Sequence, residues 1–217
     1  MSITPENHTK FFPYDFVSYF PVANHKQIKA EILPHILHSV QHNAGKNEYK
    51  WDIDSGSNMV TTYRTDLEKA IFDLVAEKYV KHIVWDPFDF AYKSTASRKI
   101  RDARLLNFWW NYYNPGDYSE LHIHSNCQDN EPHYSGVYFL DMDEPNTLEF
   151  VSKHQVSTHP GGMMFHHGRA DSAKEGSAVI FPSSLMHHVR PVKKRRITLS
   201  FNIWCDFDFM DSPVKLS

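Results

Sequence analysis

From Leu105 onward, apolar residues recur at every second position in short runs rich in strand formers. That switch of period limits what this chain can fold into more than any other feature. Strands are expected near Leu106–Tyr113, Ser119–Ser125, Ser135–Asp141, Thr147–Ser152, Gly176–Phe181, Met186–Pro191 and Arg195–Trp204. Pro-Gly, Gly-Gly and Asp/Asn clusters punctuate them. The first hundred residues read differently. Asn24 and Gln27 form a capping-box signature, and Ile28, Ile32, Leu33, Ile36, Leu37 and Val40 follow at helical spacing. Pro34 lies inside that pattern and should kink or shorten the helix. Thr65 and Glu68 open a second helix, with Leu67, Ile71, Leu74, Val75 and Tyr79 as its apolar stripe. Two helices followed by many short strands predict a mainly β fold, a β-sandwich or barrel with N-terminal α-helices packed against it. One domain over 1–217 is the simplest count, with a helical support at 1–104, a β core at 105–204 and a tail at 205–217.

Composition removes several classes of function. There are 26 acids against 23 bases, a net charge of −3, so nothing favours a nucleic-acid backbone as partner. No run approaches the roughly 18 apolar residues of a membrane span, and MSITPENHTK lacks the apolar run of a signal peptide. Two cysteines, Cys127 and Cys205, make no disulfide framework, which suits a reducing cytoplasm. Homodimerisation is left open. Histidine is the unusual count: 15 in all, nine of them between His122 and His188. Imidazole concentrated in this way points to a metal.

The sharpest local signal is Glu120-Leu-His122-Ile-His124. In a strand, residues i and i+2 point the same way, so His122 and His124 present two imidazoles side by side. Iron enzymes of the facial-triad type take two ligands from one strand and a third from a distant one. His187, after the apolar strand Gly176–Phe181 and a turn, is the candidate third, and His188 faces the other way. In Arg196-Ile-Thr-Leu-Ser-Phe-Asn202, alternation puts Arg196, Thr198, Ser200 and Asn202 on one face and Ile197, Leu199, Phe201 and Ile203 on the other. An inward arginine demands an anion, and its planar fork matches a carboxylate.

These pieces resemble a family. Trp109-Trp-Asn111, Gly116-Asp-Tyr, His122-Ile-His124, Ser135-Gly-Val-Tyr-Phe-Leu, Phe181-Pro-Ser-Ser-Leu-Met-His187, Val189-Arg-Pro191 and Arg196–Asn202 resemble, in that order, the 2-oxoglutarate- and Fe(II)-dependent oxygenases. The likeness is closest to a bacterial and phage branch with prolyl-hydroxylase-like relatives, and it covers about residues 105–204. It implies a double-stranded β-helix, Fe(II) on His122, His124 and His187, and 2-oxoglutarate gripped by Arg196 with Thr198 beside it. Asn111, Tyr113 and Tyr138 are its implied further contacts to 2-oxoglutarate. The implied reaction hydroxylates a C–H bond of an amino-acid, peptidyl or small-metabolite substrate with molecular oxygen, releasing succinate and CO2. Position 124 holds histidine where the wider superfamily has an acid, and the polar insertion Asn126–Tyr134 offers Asp129 or Glu131 as an alternative second ligand.

Two other readings stand beside it. Gly116-x5-His122-x-His124 and Gly176-x5-Pro182…His187 also fit parts of the cupin motifs, which would make a three-histidine metalloenzyme that does not use 2-oxoglutarate. That reading displaces the cupin glutamate and leaves Arg196 without a role. A non-catalytic jelly-roll binding module is the other. Trp109, Asn111 and Tyr113 share a face by period two, and Asn202 belongs with Arg196, so Trp109 and Asn202 are candidate substrate contacts. The stretch Lys153–Glu175 has no clear period and reads as a long loop. Gly161-Gly162 is its hinge, and Met163, Phe165 and Arg169 are candidate lid contacts over the metal.

Overall fold

The computed structural model describes residues 8–12, 15–50, 56–63, 69–95, 99–124, 131–144, 147–159, 162–169 and 173–208; at 8–12, 69, 70, 72, 152–159 and 162–169 it describes the backbone only. Among these residues the strands form two antiparallel sheets. The larger has the order β1 (His8–Phe12), β2 (Asp15–Pro21), β9 (Ser177–Pro182), β6 (Tyr134–Met142), β11 (Arg196–Phe207), β4 (Ile100–Tyr113) and β3 (Val60–Thr61). The smaller runs β5 (Ser119–His122), β10 (Met186–Val189), β7 (Leu148–His159) and β8 (Gly162–Arg169). From β4 to β11 this is the expected double-stranded β-helix.

Each face of the larger sheet has its own core. Ile197, Leu199, Phe201 and Ile203 of β11 pack toward the helices with Ile28, Ile32, Ile36 and Ile83. Val137, Phe139, Val179 and Phe181 face the smaller sheet and meet Leu148, Phe150 and Val189. Each such side chain, fully withdrawn from water, contributes on the order of 1.5–3 kcal/mol. β6 passes so close to β11 that a Cβ on Gly136 would lie 2.2 Å from the Phe201 ring. Only glycine fits at that point of the Ser135-Gly-Val run.

The N-terminal third departs from expectation in several places. α1 spans His25–Asn43, but Asn24 takes φ 60° and its side chain makes no cap bond. Its carbonyl oxygen accepts the Gln27 and Ile28 N–H groups instead. α1 runs through Pro34, which lies on the exposed face, where the carbonyl it leaves free can turn to water. The second helix is seen from Lys69: α2 (Lys69–Leu74), π-helical turns at Val75–Tyr79 and Lys81–Trp85, then α3 (Asp86–Thr95). The Thr65–Glu68 box lies outside the described residues. Residues 1–104 are more than a helical support, because β1, β2 and β3 extend the larger sheet at both edges. The run Phe16-Val-Ser-Tyr-Phe20, between Pro13 and Pro21, carried that strand signal.

Lys153–Glu175 is not an irregular loop. β7 and β8 pair as a hairpin, from Glu149↔Arg169 to His159↔Gly162. The register breaks between Val151 and Val156, where β7 carries extra residues. A bulge of that kind scrambles period two, which hid the strand from a reading of alternation.

Candidate active site

The three histidines come from two neighbouring strands and the short segment that follows one of them. His122 on β5 and His187 on β10 are direct cross-strand partners. His124 follows the end of β5, where its N–H donates to the Ser183 carbonyl at 2.9 Å. One ring nitrogen of each histidine lies within 4.8 Å of the others. Their ring centroids are 4.3 Å (His122–His187), 4.8 Å (His124–His187) and 5.2 Å (His122–His124) apart.

The other ring nitrogens are committed. Nδ1 of His122 lies 2.7 Å from the Glu120 carbonyl, and Nδ1 of His187 lies 2.9 Å from the Leu185 carbonyl. Nδ1 of His124 lies 2.8 Å from Asn202 Oδ1 and 2.9 Å from Ser135 Oγ. A carbonyl oxygen can only accept, so each Nδ1 carries the proton and each Nε2 keeps its lone pair. Burial holds the rings neutral: His124 is pushed down to about 4, and His122 and His187 are also lowered by burial. Three neutral imidazoles offering lone pairs to one point are the donor set of a divalent metal.

The same cavity, about 30 Å³, has Arg196 among its lining residues. Arg196 is 1% exposed, and its Nε and Nη1 have no hydrogen-bond partner among the described residues. The guanidinium carbon lies 5.1 Å from the Tyr113 ring and 5.4 Å from the Phe139 ring. Burial lowers its pKa, yet a guanidinium stays protonated in a protein, so it asks for an anion. Thr198 and Ser200 follow along β11 on the same face. Asn111 Nδ2 donates to Ser200 Oγ at 3.1 Å and lies 3.4 Å from Thr198 Oγ1, while its Oδ1 accepts from Thr61 Oγ1 at 2.8 Å. Trp109, Asn111 and Tyr113 all line the cavity, as period two required.

Several sequence candidates lie elsewhere. Tyr138 belongs to the opposite face of β6, in the helix-side core, with its hydroxyl 2.6 Å from His25 Nδ1. Val137 takes the place in the cavity instead. Asn202 shares the predicted face but is spent on His124; its Nδ2 donates to Asn107 Oδ1 at 2.7 Å. Glu131 is exposed and outside the histidine cluster, and Asp129 falls outside the described residues. Met163, Phe165 and Arg169 lie on β8, the outer strand of the smaller sheet. Met59 went unforeseen. The segment Gly56–Tyr63 is pinned by Ser57 Oγ to the Tyr118 carbonyl (2.7 Å) and by the Asn58 N–H to Asp117 Oδ1 (2.9 Å), and it sets Met59 in the cavity wall.

Residues 107–202 match the family model described as "Putative 2OG-Fe(II) oxygenase". A prolyl-4-hydroxylase of Pseudomonas putida superposes with TM-score 0.53 at 14% identity, over 86% of this chain and 91% of that one. The α-ketoglutarate-dependent epimerase SnoN of nogalamycin biosynthesis gives TM-score 0.61 at 12% identity, over 93% and 86%. A Trichoplax adhaerens prolyl hydroxylase, solved with a peptide fragment of hypoxia inducible factor, gives 0.55 at 13%, over 88% and 83%. No curated protein sequence matches the chain. Residues 107–202 thus match the model of the 2-oxoglutarate/Fe(II) oxygenases, and the chain shares its double-stranded β-helix fold with solved enzymes of that kind.

Proposed function

We propose that the protein is a dioxygenase that hydroxylates a C–H bond of an amino-acid, peptidyl or small-metabolite substrate, as a single-domain enzyme of the cytoplasm. One observation carries the reading: three histidine nitrogens and a buried guanidinium with two nitrogens left without a hydrogen-bond partner among the described residues line the same cavity. His122, His124 and His187 would hold Fe(II), and Arg196 would take the far carboxylate of 2-oxoglutarate, with Thr198 beside it. Once bound, these cofactors supply the oxidative chemistry, in which O2 and the keto acid become succinate and CO2 and one oxygen atom enters the substrate.

The chain's own part is binding, orientation and exclusion of water. Asn202, Glu120 and Leu185 hold the imidazoles in the ligating tautomer. Arg196 would set the direction of the co-substrate, and Asn111, itself oriented by Thr61, donates to Ser200 beside it in the cavity lining. Trp109, with its ring 5.5 Å from that of His124, covers one side of the histidines and lies 5.0 Å from the Tyr63 ring, which is part exposed. This aromatic edge is where a substrate would meet the cavity. Cys205, free and buried, agrees with a reducing compartment.

The test is succinate formation from 2-oxoglutarate with Fe(II), with and without candidate amino acids, peptides and small metabolites, using 18O2. Label in the product is expected. SnoN, an epimerase, gives the counter-case: stoichiometric succinate with an unlabelled, inverted product would replace hydroxylation by epimerisation, and 2-oxoglutarate left untouched would remove the reading.

A further inference from the structure

The smaller sheet carries two acids beside the histidine cluster, and they are treated differently. Glu149 on β7 is paired in register with His188. Its carboxylate meets Arg190 Nε at 3.0 Å and His188 Nε2 at 3.3 Å, so its charge is matched. Glu120 lies on β5, two residues before His122. Both of its carboxylate oxygens are shut off from solvent, and neither has a hydrogen-bond partner among the described residues. A slip in the ladder explains the tucked position. Between the pairs Ser119↔Val189 and His122↔His187, β5 has two residues where β10 has one. Leu121 turns outward, 49% exposed, while the Glu120 carboxylate is enclosed.

An enclosed carboxylate is costly unless a cation meets it, and among the described residues nothing hydrogen-bonds to this one. The histidine cluster lacks the opposite sign. Three neutral imidazoles bring no negative charge to a divalent metal, whereas a His-x-acid pair would bring one. The two deficits lie side by side. Glu120 is two residues before His122 on the same strand, and its carbonyl already accepts the His122 Nδ1 proton at 2.7 Å.

We propose that Glu120 is a positioning residue that acts through His122 as the counter-charge of the metal, standing outside the ligand set in place of the carboxylate that His124 displaces. The inference rests on the metal reading above. Co(II) alone, titrated into metal-free protein and followed by its visible absorption, is the probe. Glu120→Gln should weaken Co(II) binding about tenfold or more, within the range for groups that support a ligand from behind. It should also raise the melting temperature of the metal-free protein, because the enclosed charge is gone. Glu120→Asp, which keeps the charge, should retain binding within about threefold of the parent and guards against a folding defect in the amide variant. Unchanged Co(II) affinity in Glu120→Gln, or a metal-free protein that melts lower, overturns the proposal. The metal reading fails separately, if the parent binds no Co(II) or if His187→Ala binds it as well as the parent.

Discussion

Arg196→Met tests the anion end of the cavity with a change of sign. Arg196 is buried to 1% with two unpartnered nitrogens. Each enclosed N–H without an acceptor costs about 1–3 kcal/mol. Against that, the Tyr113 and Phe139 rings at 5.1 and 5.4 Å return about 0.5–2 kcal/mol each as cation–π attraction. Replacing such a charge by an apolar side chain of similar volume is often stabilising by about 1–4 kcal/mol. Without 2-oxoglutarate, then, Arg196→Met should be the more stable protein by about 2 kcal/mol, which for a chain of this size is a rise in Tm of about 4–8 °C. With 2-oxoglutarate at about 100 times its Kd, the parent gains about 2.7 kcal/mol and the variant gains nothing, so the order reverses. Differential scanning calorimetry of Co(II)-loaded protein, which holds the co-substrate without turnover, reads both arms. A variant that melts lower than the parent without 2-oxoglutarate, or that still responds to it, would falsify the argument.

Elemental analysis of the parent should find about one metal ion per chain, and His122→Ala and His187→Ala should each lose it; full occupancy in both removes the three-histidine assignment. The pH dependence follows from burial. His124 titrates near 4 in the fold and near 6.5 unfolded, so between those values the unfolded chain binds a proton that the fold refuses. The stability due to this group is complete above about pH 6.5 and falls as pH drops toward 4, by up to about 1.4 kcal/mol per unit. Thermal melts of metal-free protein across that window should show the slope, flattened in His124→Ala, and a slope of the opposite sign contradicts it. Because burial keeps the rings neutral, metal binding should also persist below the pH of 6.5 at which free imidazole would begin to lose it. Asn202→Ala removes the acceptor on His124 Nδ1 and should weaken metal binding about tenfold with little change in fold by circular dichroism; unchanged affinity refutes that role. Gly136→Ala forces a Cβ to 2.2 Å from Phe201 and should cost about 1–3 kcal/mol in denaturant titration.

Wherever strict alternation holds, the sequence alone sorts cavity-facing side chains from core-facing ones. β11 sorts its residues into Arg196, Thr198 and Ser200 inside and Ile197, Leu199 and Phe201 outside, as its period dictates, and β4 does the same with Trp109, Asn111 and Tyr113. Tyr138 was misplaced although the same rule was available. Ser135 and Val137 share the inner face, so Tyr138 points out by parity, and its aromatic character was no reason to bring it in. The hairpin of β7 and β8 stayed hidden because its bulge breaks the period, and the strap at Gly56–Tyr63 because two paired residues are too few to carry one.

Face parity says where a side chain points but not whether anything meets it there, and the chemistry of this site depends on the second question. Asn202 lies on the inner face with Arg196, yet cross-strand pairing to Ser135 delivers it to His124. Glu149 and Glu120 are both acids on strands of the smaller sheet, and only the three-dimensional neighbourhood separates the paired one from the stranded one. Being unpartnered is a property of every element packed around a residue, so no local pattern can report it. A stranded cation at Arg196 and a stranded anion at Glu120 share a sheet sandwich with three lone pairs that have no proton to hold. The fold bears that cost when empty, and a dianionic keto acid and a divalent metal are the two ligands whose charges relieve it. Binding of either should therefore stabilise the protein against heat, and the gain should shrink on the metal side in Glu120→Gln and on the anion side in Arg196→Met.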